Sequence, residues 1–127
     1  YTITATALGP DNQSYTATTT VTVLSRYQLE TLLQGEWEGM RAKLAAGDVE
    51  GAVASFAPES QDRYQTVFTD PAEEALLRLN EISALEIYTV LGDTAQGAGI
   101  KQETDGEYAY PVNFVRDENG VWRISGF

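Results

Sequence analysis

The sequence contains no cysteine and no histidine among its 127 residues. Without cysteine there is no disulfide, no thiolate nucleophile and no sulfur ligand for a metal. Without histidine the chain lacks the commonest metal ligand and the commonest general base. These absences exclude most metalloenzyme and most hydrolase mechanisms, and we expect neither a metal site nor a cofactor.

Positive charge is also scarce, because 8 lysines and arginines stand against 19 acidic residues and give a formal net charge of −11. Such a chain repels nucleic acid and anionic membrane surfaces, and no cluster of basic residues offers a local exception. No apolar run approaches the roughly 20 residues that a membrane-spanning helix needs. We therefore expect no nucleic acid partner and no membrane insertion.

The composition changes abruptly after residue 24. Residues 1–24 contain eight threonines and one charged residue, whereas the other 26 charged residues lie in 25–127. Threonine alternates with apolar residues on both sides of the turn sequence GPDN at 9–12, which predicts a β-hairpin. We place a domain boundary after this hairpin. Because the chain begins at Tyr1 without an initiator methionine or signal peptide, we expect it to be a piece of a longer protein.

From Ser25 the hydrophobic period changes from 2 to 3.6, which predicts helices. We predict a first helix of roughly 20 residues capped by Ser25, a short second helix capped by Asp48, and a third helical stretch after Pro58. Asp70 and Pro71 form a start signal for a fourth helix that runs through residue 82. The apolar stripe of the first helix consists of Leu29, Leu33, Trp37, Met40 and Leu44.

After Ser83 the pattern predicts four strands, at 85–91, 95–103, 107–116 and 121–127, joined by short turns as an antiparallel meander. Helices followed by strands are typical of an α+β fold, with the helices packed on one face of a curved antiparallel sheet. Pro111 has no backbone N–H, so the third strand must be bulged or at an edge there. The sequence GAG at 97–99 indicates a bulge or a close approach by another chain.

Residues 26–127 resemble the nuclear-transport-factor-2-like superfamily, also called the cystatin-like α+β cone. The similarity lies in the order of helices and strands, the segments LAAGDVEGAVASF and YAYPVNFVRDENGVWRI, the pair Trp37 and Met40, and Phe127. It implies a cone-shaped domain over 25–127 whose interior, between helices and sheet, is the place for a ligand. The superfamily includes isomerases, dehydratases, cyclases, association domains and binding modules, so the resemblance fixes no function.

The segments YTITATA and TATTTVTVL resemble the last two strands of a bacterial immunoglobulin-like repeat. This resemblance implies that residues 1–24 end such a repeat and that the parent protein is modular and extracytoplasmic, either secreted or at the cell surface. The alternative is a threonine-rich hairpin that is native to the domain that follows.

Aromatic side chains are the candidate pocket residues. By strand alternation Tyr108, Tyr110 and Phe114 share one face of the third strand. These rings either fill the cone or line a pocket for a small apolar ligand. The full candidate set is Trp37, Phe56, Tyr64, Tyr88, Tyr108, Tyr110 and Phe114.

An isomerase or dehydratase needs a pocket carboxylate facing an acidic donor such as a tyrosine. Most acidic residues fall at caps, turns or exposed helix faces, and Glu86 and Glu107 lie in strands without a convincing partner. We therefore assign no catalytic residue. We expect a non-catalytic accessory, ligand-binding or association module, with an isomerase-type enzyme as the alternative and a structural cap for a neighbouring repeat as a third. The expected partner is a small apolar ligand, a protein, or a second copy bound through the sheet.

The acidic sequence DENG at 117–120 allows two interpretations, an oxygen-rich ion loop or a hairpin turn. An EF-hand-like loop requires a distant bidentate glutamate, and the chain offers Val121, Trp122 and Arg123 instead. Asn119-Gly120 between two alternating runs is a strong hairpin signal. We therefore predict a turn.

Overall fold

The computed structural model describes residues 1–21, 23–69 and 77–127. They form an α+β fold with a two-stranded and a four-stranded antiparallel sheet, and the larger sheet is not strongly curled. Its strands follow the order β3-β4-β5-β6, which confirms the predicted meander. The elements are β1 (Thr2–Leu8), β2 (Ser14–Thr20), α1 (Arg26–Ala45), α2 (Val49–Val53), α3 (Pro58–Thr69), β3 (Ile82–Leu91), β4 (Thr94–Glu103), β5 (Gly106–Arg116) and β6 (Trp122–Gly126).

The ends of α1 are set by local hydrogen bonds. The Ser25 hydroxyl accepts from the Gln28 backbone N–H, and the Gln28 side chain accepts from the Ser25 N–H, so both close a capping box. Gly47 then adopts a φ of +78°, which suits the end of a helix. Asp48 accepts from the Gly51 N–H and begins α2. These predicted boundaries are confirmed.

The predicted start of the fourth helix at Asp70-Pro71 lies outside the described residues. Residues 77–80 are helical. The predicted continuation through residue 82 is wrong, because Ile82 already pairs with Lys101 of β4. A sheet partner that is distant in sequence decides the conformation there, and helical periodicity does not contain that information.

The hairpin β1–β2 forms as predicted, with Ala5 opposite Ala17. One of its faces is a threonine ladder, in which the hydroxyls of Thr4 and Thr18 lie 3.5 Å apart. The other face is mainly apolar, with Thr19 opposite Ile3, and every residue of both strands is exposed. An isolated two-stranded hairpin is marginally stable in water, so this apolar face is a surface suited to burial.

The core lies between the helices and the inner face of the large sheet. Leu33, Trp37 and Met40 of α1 are fully buried there, as the predicted stripe requires. Strand β6 joins the two layers: the Ile124 N–H donates to the Ser55 carbonyl at 3.0 Å, and the Ala57 N–H donates to the Ile124 carbonyl at 2.8 Å.

Tyr64 and Phe127 form a second link between the layers. The Tyr64 hydroxyl donates to the Phe127 carbonyl at 2.9 Å and accepts from the Phe127 N–H at 2.8 Å. The two rings stack with centroids 5.1 Å apart. Tyr64 is 2% exposed and Phe127 is half-buried, so both hydrogen bonds are partly shielded from water.

Pro111 lies where β5 has one paired and one unpaired side. It stands opposite Ala98 of β4, whereas pairing with β6 begins only at Asn113 and Gly126. Among the described residues no strand pairs with the β6 side of Pro111. Of the two predicted possibilities, a bulge or an edge, the structure therefore confirms the edge. Proline is tolerated there because no ladder hydrogen bond is needed on that side.

The glycines of β4 accommodate a close approach of β3. A Cβ atom at Gly97 would collide with the backbone oxygen of Glu86, and one at Gly99 would lie 2.9 Å from Ile82 Cδ1. The pairing of β3 with β4 is irregular at 82–84 and 87–89. The close approach indicated by GAG is therefore confirmed, and the approaching chain is the bulged neighbouring strand.

Gly97→Ala should destabilise the protein by about 1–3 kcal/mol, because the new methyl group forces backbone apart in a paired strand. Urea unfolding followed by circular dichroism measures this free energy. Gly35→Ala in α1 is the matched control, since a Cβ atom there meets nothing within 4 Å. It should stabilise by up to about 1 kcal/mol. Equal effects of the two substitutions would contradict the packing argument.

Tyr64→Phe should lower the free energy of unfolding by about 1–3 kcal/mol, because it removes both hydrogen bonds to Phe127 and leaves two backbone groups without a partner. Urea unfolding measures the loss. Tyr27→Phe, at a side chain that is 77% exposed, should change it by less than about 0.5 kcal/mol. A Tyr64→Phe variant as stable as the control would show that the hydroxyl link is dispensable.

Candidate functional site

A cavity of about 620 Å³ lies at the end of the large sheet, where β6 stops pairing with β5. The end of α3, residues 78–82, β4 and the unpaired edge of β5 surround it. Its volume falls within the range of small-molecule sites. The described residues that line it are Val67, Phe68, Arg78, Leu79, Glu81, Ile82, Lys101, Tyr110, Pro111 and Phe127.

The wall between the cavity and the core is the ring of Phe127. On its core side this ring contacts Trp37 edge to face, with centroids 5.1 Å apart, and stacks on Tyr64. Its other side contributes to the cavity. Because Tyr64 bonds both backbone groups of Phe127, the same link that closes the core also positions this wall.

Four of the seven candidate pocket residues lie in the core instead of in the cavity. Trp37, Phe56, Tyr64 and Phe114 are at most 2% exposed. Phe56 stacks on Tyr64 with centroids 4.0 Å apart. For these four residues the structure matches the alternative in which aromatic rings fill the interior.

The other three candidates are exposed: Tyr88 by 51%, Tyr108 by 43% and Tyr110 by 45%. Tyr88 lies at the irregularity in β3 between residues 87 and 89. Tyr108 and Tyr110 share the inner face with Val112, which is fully buried, but lie further along β5. Of the seven candidates, Tyr110 lines the cavity. The alternation of residues along a strand predicts which face of the sheet a side chain lies on. It does not predict how much of that face the helices cover.

The polar part of the cavity is centred on Lys101. Its Nζ atom lies 2.8 Å from Glu81 Oε2 and 2.5 Å from Glu103 Oε1, and the side chain is 20% exposed. The Glu103 carboxylate, and after it that of Glu81, raises the pKa of Lys101 above its ordinary value. Lys101 therefore stays protonated throughout the neutral pH range. Sequence reasoning missed this group, because Glu81 and Lys101 meet only through the register of β3 on β4.

A tyrosine and a carboxylate also meet at the β4–β5 turn. The Tyr108 hydroxyl donates to Asp105 Oδ2 at 3.0 Å, and this hydrogen bond raises the pKa of Tyr108. Isomerase chemistry combines these two groups, but this pair is exposed and neither residue is among the described residues lining the cavity. Among the described lining residues, the carboxylate is that of Glu81, which is bonded to Lys101.

The acidic sequence 117–120 forms a turn, as predicted. Asp117 Oδ1 accepts from the backbone N–H groups of Asn119 and Val121 at 2.9 Å each, and Gly120 has a φ of +81°. The Val121 N–H contributes most to holding the pKa of Asp117 below its ordinary value. The carboxylate is thus occupied by the turn itself. Within the described ranges, no group of three or more acidic side chains is placed to hold a metal ion.

In the part of the chain that the structure describes, no helix is both long enough and apolar enough to span a bilayer.

Asp117→Ala should lower the urea midpoint at pH 7, and the difference from the unsubstituted protein should shrink as the pH falls below about 4. The pKa of Asp117 is lower in the folded state than in the unfolded state. Its contribution to the free energy of unfolding is therefore complete above the unfolded-state pKa and is lost as the pH falls through the folded-state pKa. Urea titrations between pH 3 and 7 measure this. Glu118→Ala removes an exposed carboxylate from the same turn and is the control, because no backbone N–H donates to Glu118 among the described residues. A constant difference at all pH values would contradict the assignment.

Comparison with protein-family models, with curated proteins and with solved structures finds no match to this chain. The two resemblances drawn from the sequence therefore stay hypotheses, and the geometry of the cavity is the basis for assigning a function.

Proposed function

We propose that residues 25–127 form a nuclear-transport-factor-2-like domain that acts as a non-catalytic ligand-binding module and takes a small apolar ligand in the cavity beside Phe127. The observation that supports this function is the cavity itself, which has a ligand-sized volume and mainly apolar walls. Phe68 and Leu79 in those walls are 1% and 4% exposed, so part of the cavity wall consists of side chains that belong to the packed core.

Binding is favoured over catalysis by the arrangement of the polar groups. Glu81 Oε2 already lies 2.8 Å from the Lys101 ammonium, which competes with any substrate proton for that oxygen. The tyrosine–carboxylate pair at Tyr108 and Asp105 lies on an exposed turn, where water competes for both groups. A general base must lie within hydrogen-bond distance of its substrate. Among the described residues of the cavity, no carboxylate is hydrogen-bonded to a tyrosine.

The proposed setting is a modular extracytoplasmic protein in which residues 1–24 end an immunoglobulin-like repeat. The apolar face of the hairpin supports this setting, because Ile3, Tyr15 and Val21 are 53%, 57% and 40% exposed. In a β-sandwich such a face packs against the opposite sheet. The polar threonine ladder would then form the outer surface.

A neutral solvatochromic phenoxazone dye tests the cavity. We expect it to bind the protein at one saturable site with a blue-shifted emission. Val67→Phe replaces a small aliphatic side chain in the cavity wall with an aromatic ring. It should weaken dye binding about tenfold or more, which corresponds to about 1.4 kcal/mol. Fluorescence titration measures the dissociation constant.

Val121→Phe is the matched control, since Val121 is 43% exposed against 40% for Val67 and does not line the cavity. It should leave dye affinity unchanged within about twofold, or about 0.4 kcal/mol. The absence of saturable binding, or equal weakening by both substitutions, would refute the proposed site.

A further inference from the structure

The first half of β5 is a sheet edge with a strand on one side. Residues 106–111 pair with β4 and are nevertheless all exposed. Pairing with β6 begins only at Asn113, so no strand among the described residues covers the other side of 106–111. An edge of this kind can accept one more strand. It also borders the cavity, because Tyr110 and Pro111 belong to the cavity lining.

The backbone groups on the open side belong to the odd-numbered residues. In an antiparallel sheet the N–H and C=O groups of successive residues point alternately to the two neighbouring strands. The Arg116 N–H donates to the Asp93 carbonyl on the β4 side, and the register of β4 on β5 runs without a shift down to residue 106. The open side therefore presents both groups of Glu107, both groups of Ala109 and the carbonyl of Pro111.

The charges beside this edge are negative. The hydrogen-bond partners of Asp105 and Glu107 are the neutral side chains of Tyr108 and Gln102. Neither carboxylate has an ion-pair partner in the described part of the chain. Lys101, which lies opposite Tyr108 on β4, is already compensated by two carboxylates of its own. The edge therefore favours a partner with a basic side chain.

We infer that this edge binds an extended segment of a partner protein as an added strand, antiparallel to β5 and running in the direction of β6. The residue of the segment opposite Ala109 exchanges two backbone hydrogen bonds with it. The residue opposite Tyr110 lies on the face of the cavity and places an apolar side chain there. Three positions later, a basic side chain faces Glu107 across the strands.

This inference rests on the proposed function for the cavity, which receives one side chain of the segment, and adds the class of partner. The backbone hydrogen bonds supply affinity for any extended chain, whereas the cavity and the Glu107 carboxylate select the side chains. Apolar and basic residues three positions apart are therefore the expected pattern of the segment.

A second copy of this chain is disfavoured as the occupant. Proline and charged residues on a sheet edge oppose pairing with an identical chain. A second copy would bring a net charge of −11 to an edge that already carries Asp105 and Glu107 without a cationic partner. A basic segment meets no such repulsion. The residues that oppose self-association thus also select the partner.

A capped six-residue peptide, TLTVKT, tests the inference. Aligned antiparallel to residues 111–106, it places its leucine opposite Tyr110, its central threonine opposite Ala109 and its lysine opposite Glu107. Amide NMR titration of the protein near pH 7.5 gives the dissociation constant and the position of the site. We expect saturable binding with the largest shifts at Glu107 and Ala109. The peptide TLTVET should bind at least about tenfold more weakly, because attraction across the strands becomes repulsion.

Methylation of peptide nitrogens separates an added strand from a contact between charges alone. A methyl group on the nitrogen of the central threonine removes the N–H that donates to the Ala109 carbonyl, and it should weaken binding at least about tenfold. The matched control carries the methyl group on the valine nitrogen, which points away from β5. It should bind within about threefold of TLTVKT.

A charge exchange tests the facing pair. Glu107→Lys should reverse the preference, so that TLTVET binds more tightly than TLTVKT. Glu118→Lys is the matched control, because Glu118 is also exposed but lies on the turn between β5 and β6 and not on the open edge. It should keep the preference for TLTVKT.

The outcomes separate this inference from the proposed function. If the neutral dye binds and neither peptide does, the added strand is overturned and the cavity stands. If TLTVKT binds as expected and the dye does not, the edge stands and the small-ligand function fails. Equal binding of TLTVKT and TLTVET, or of the two methylated peptides, overturns the inference. So does dimerisation of the protein with the same amide shifts, which would assign the edge to a second copy.

Discussion

The structure depends on the double attachment of β6. On one side β6 pairs with β5, where Ile124 lies opposite Phe114, and on the other it bonds to Ser55 and Ala57 between the helices. In the described part of the chain, these bonds at Ile124 are the backbone–backbone hydrogen bonds that join the helical layer to the large sheet. The helices and the sheet are thereby held in one register, and the side chains of both layers can pack at core density.

The cavity is a consequence of where this attachment ends. Pairing between β5 and β6 ends at Asn113 and Gly126, and β5 continues through Pro111 without a partner on that side among the described residues. A proline there removes one unpaired N–H donor from the exposed edge. Tyr64 holds Phe127 just beyond the last pair, so its ring separates the open edge from the filled interior.

Sequence patterns predict those features that local chemistry decides. The capping box at Ser25, the stripe of α1, the turn at Asn119-Gly120 and the edge position of Pro111 each depend on residues close together in the chain. Gly97 was also informative, because glycine in a strand indicates a close approach of backbone. At all of these positions the local structure is decided by residues that are neighbours in the sequence.

The cavity could not be predicted in the same way. The residues that line it are distant in sequence, and they meet because of the pairing register of the strands and because the helices cover only part of the sheet. Tyr108 and Tyr110 have the periodicity of core residues and still lie beyond the covered part of the face. Glu103 is a partner of Lys101 two residues along the same strand, but the other partner, Glu81, comes from the segment that precedes β3 and is distant in sequence. Here tertiary placement, and not residue type, creates the site.

The ion pairs of Lys101 link the large sheet to the segment that precedes β3 at the margin of the cavity. A lysine placed beside an apolar wall loses hydration, which favours its neutral form and would leave it a poor partner for an anion. Two carboxylates oppose that effect and raise its pKa. The Glu81 and Glu103 oxygens lie 2.8 Å and 2.5 Å from Nζ, so the ammonium charge is compensated within the protein. The pairing that keeps Lys101 charged therefore also ties β4 to the segment that precedes β3.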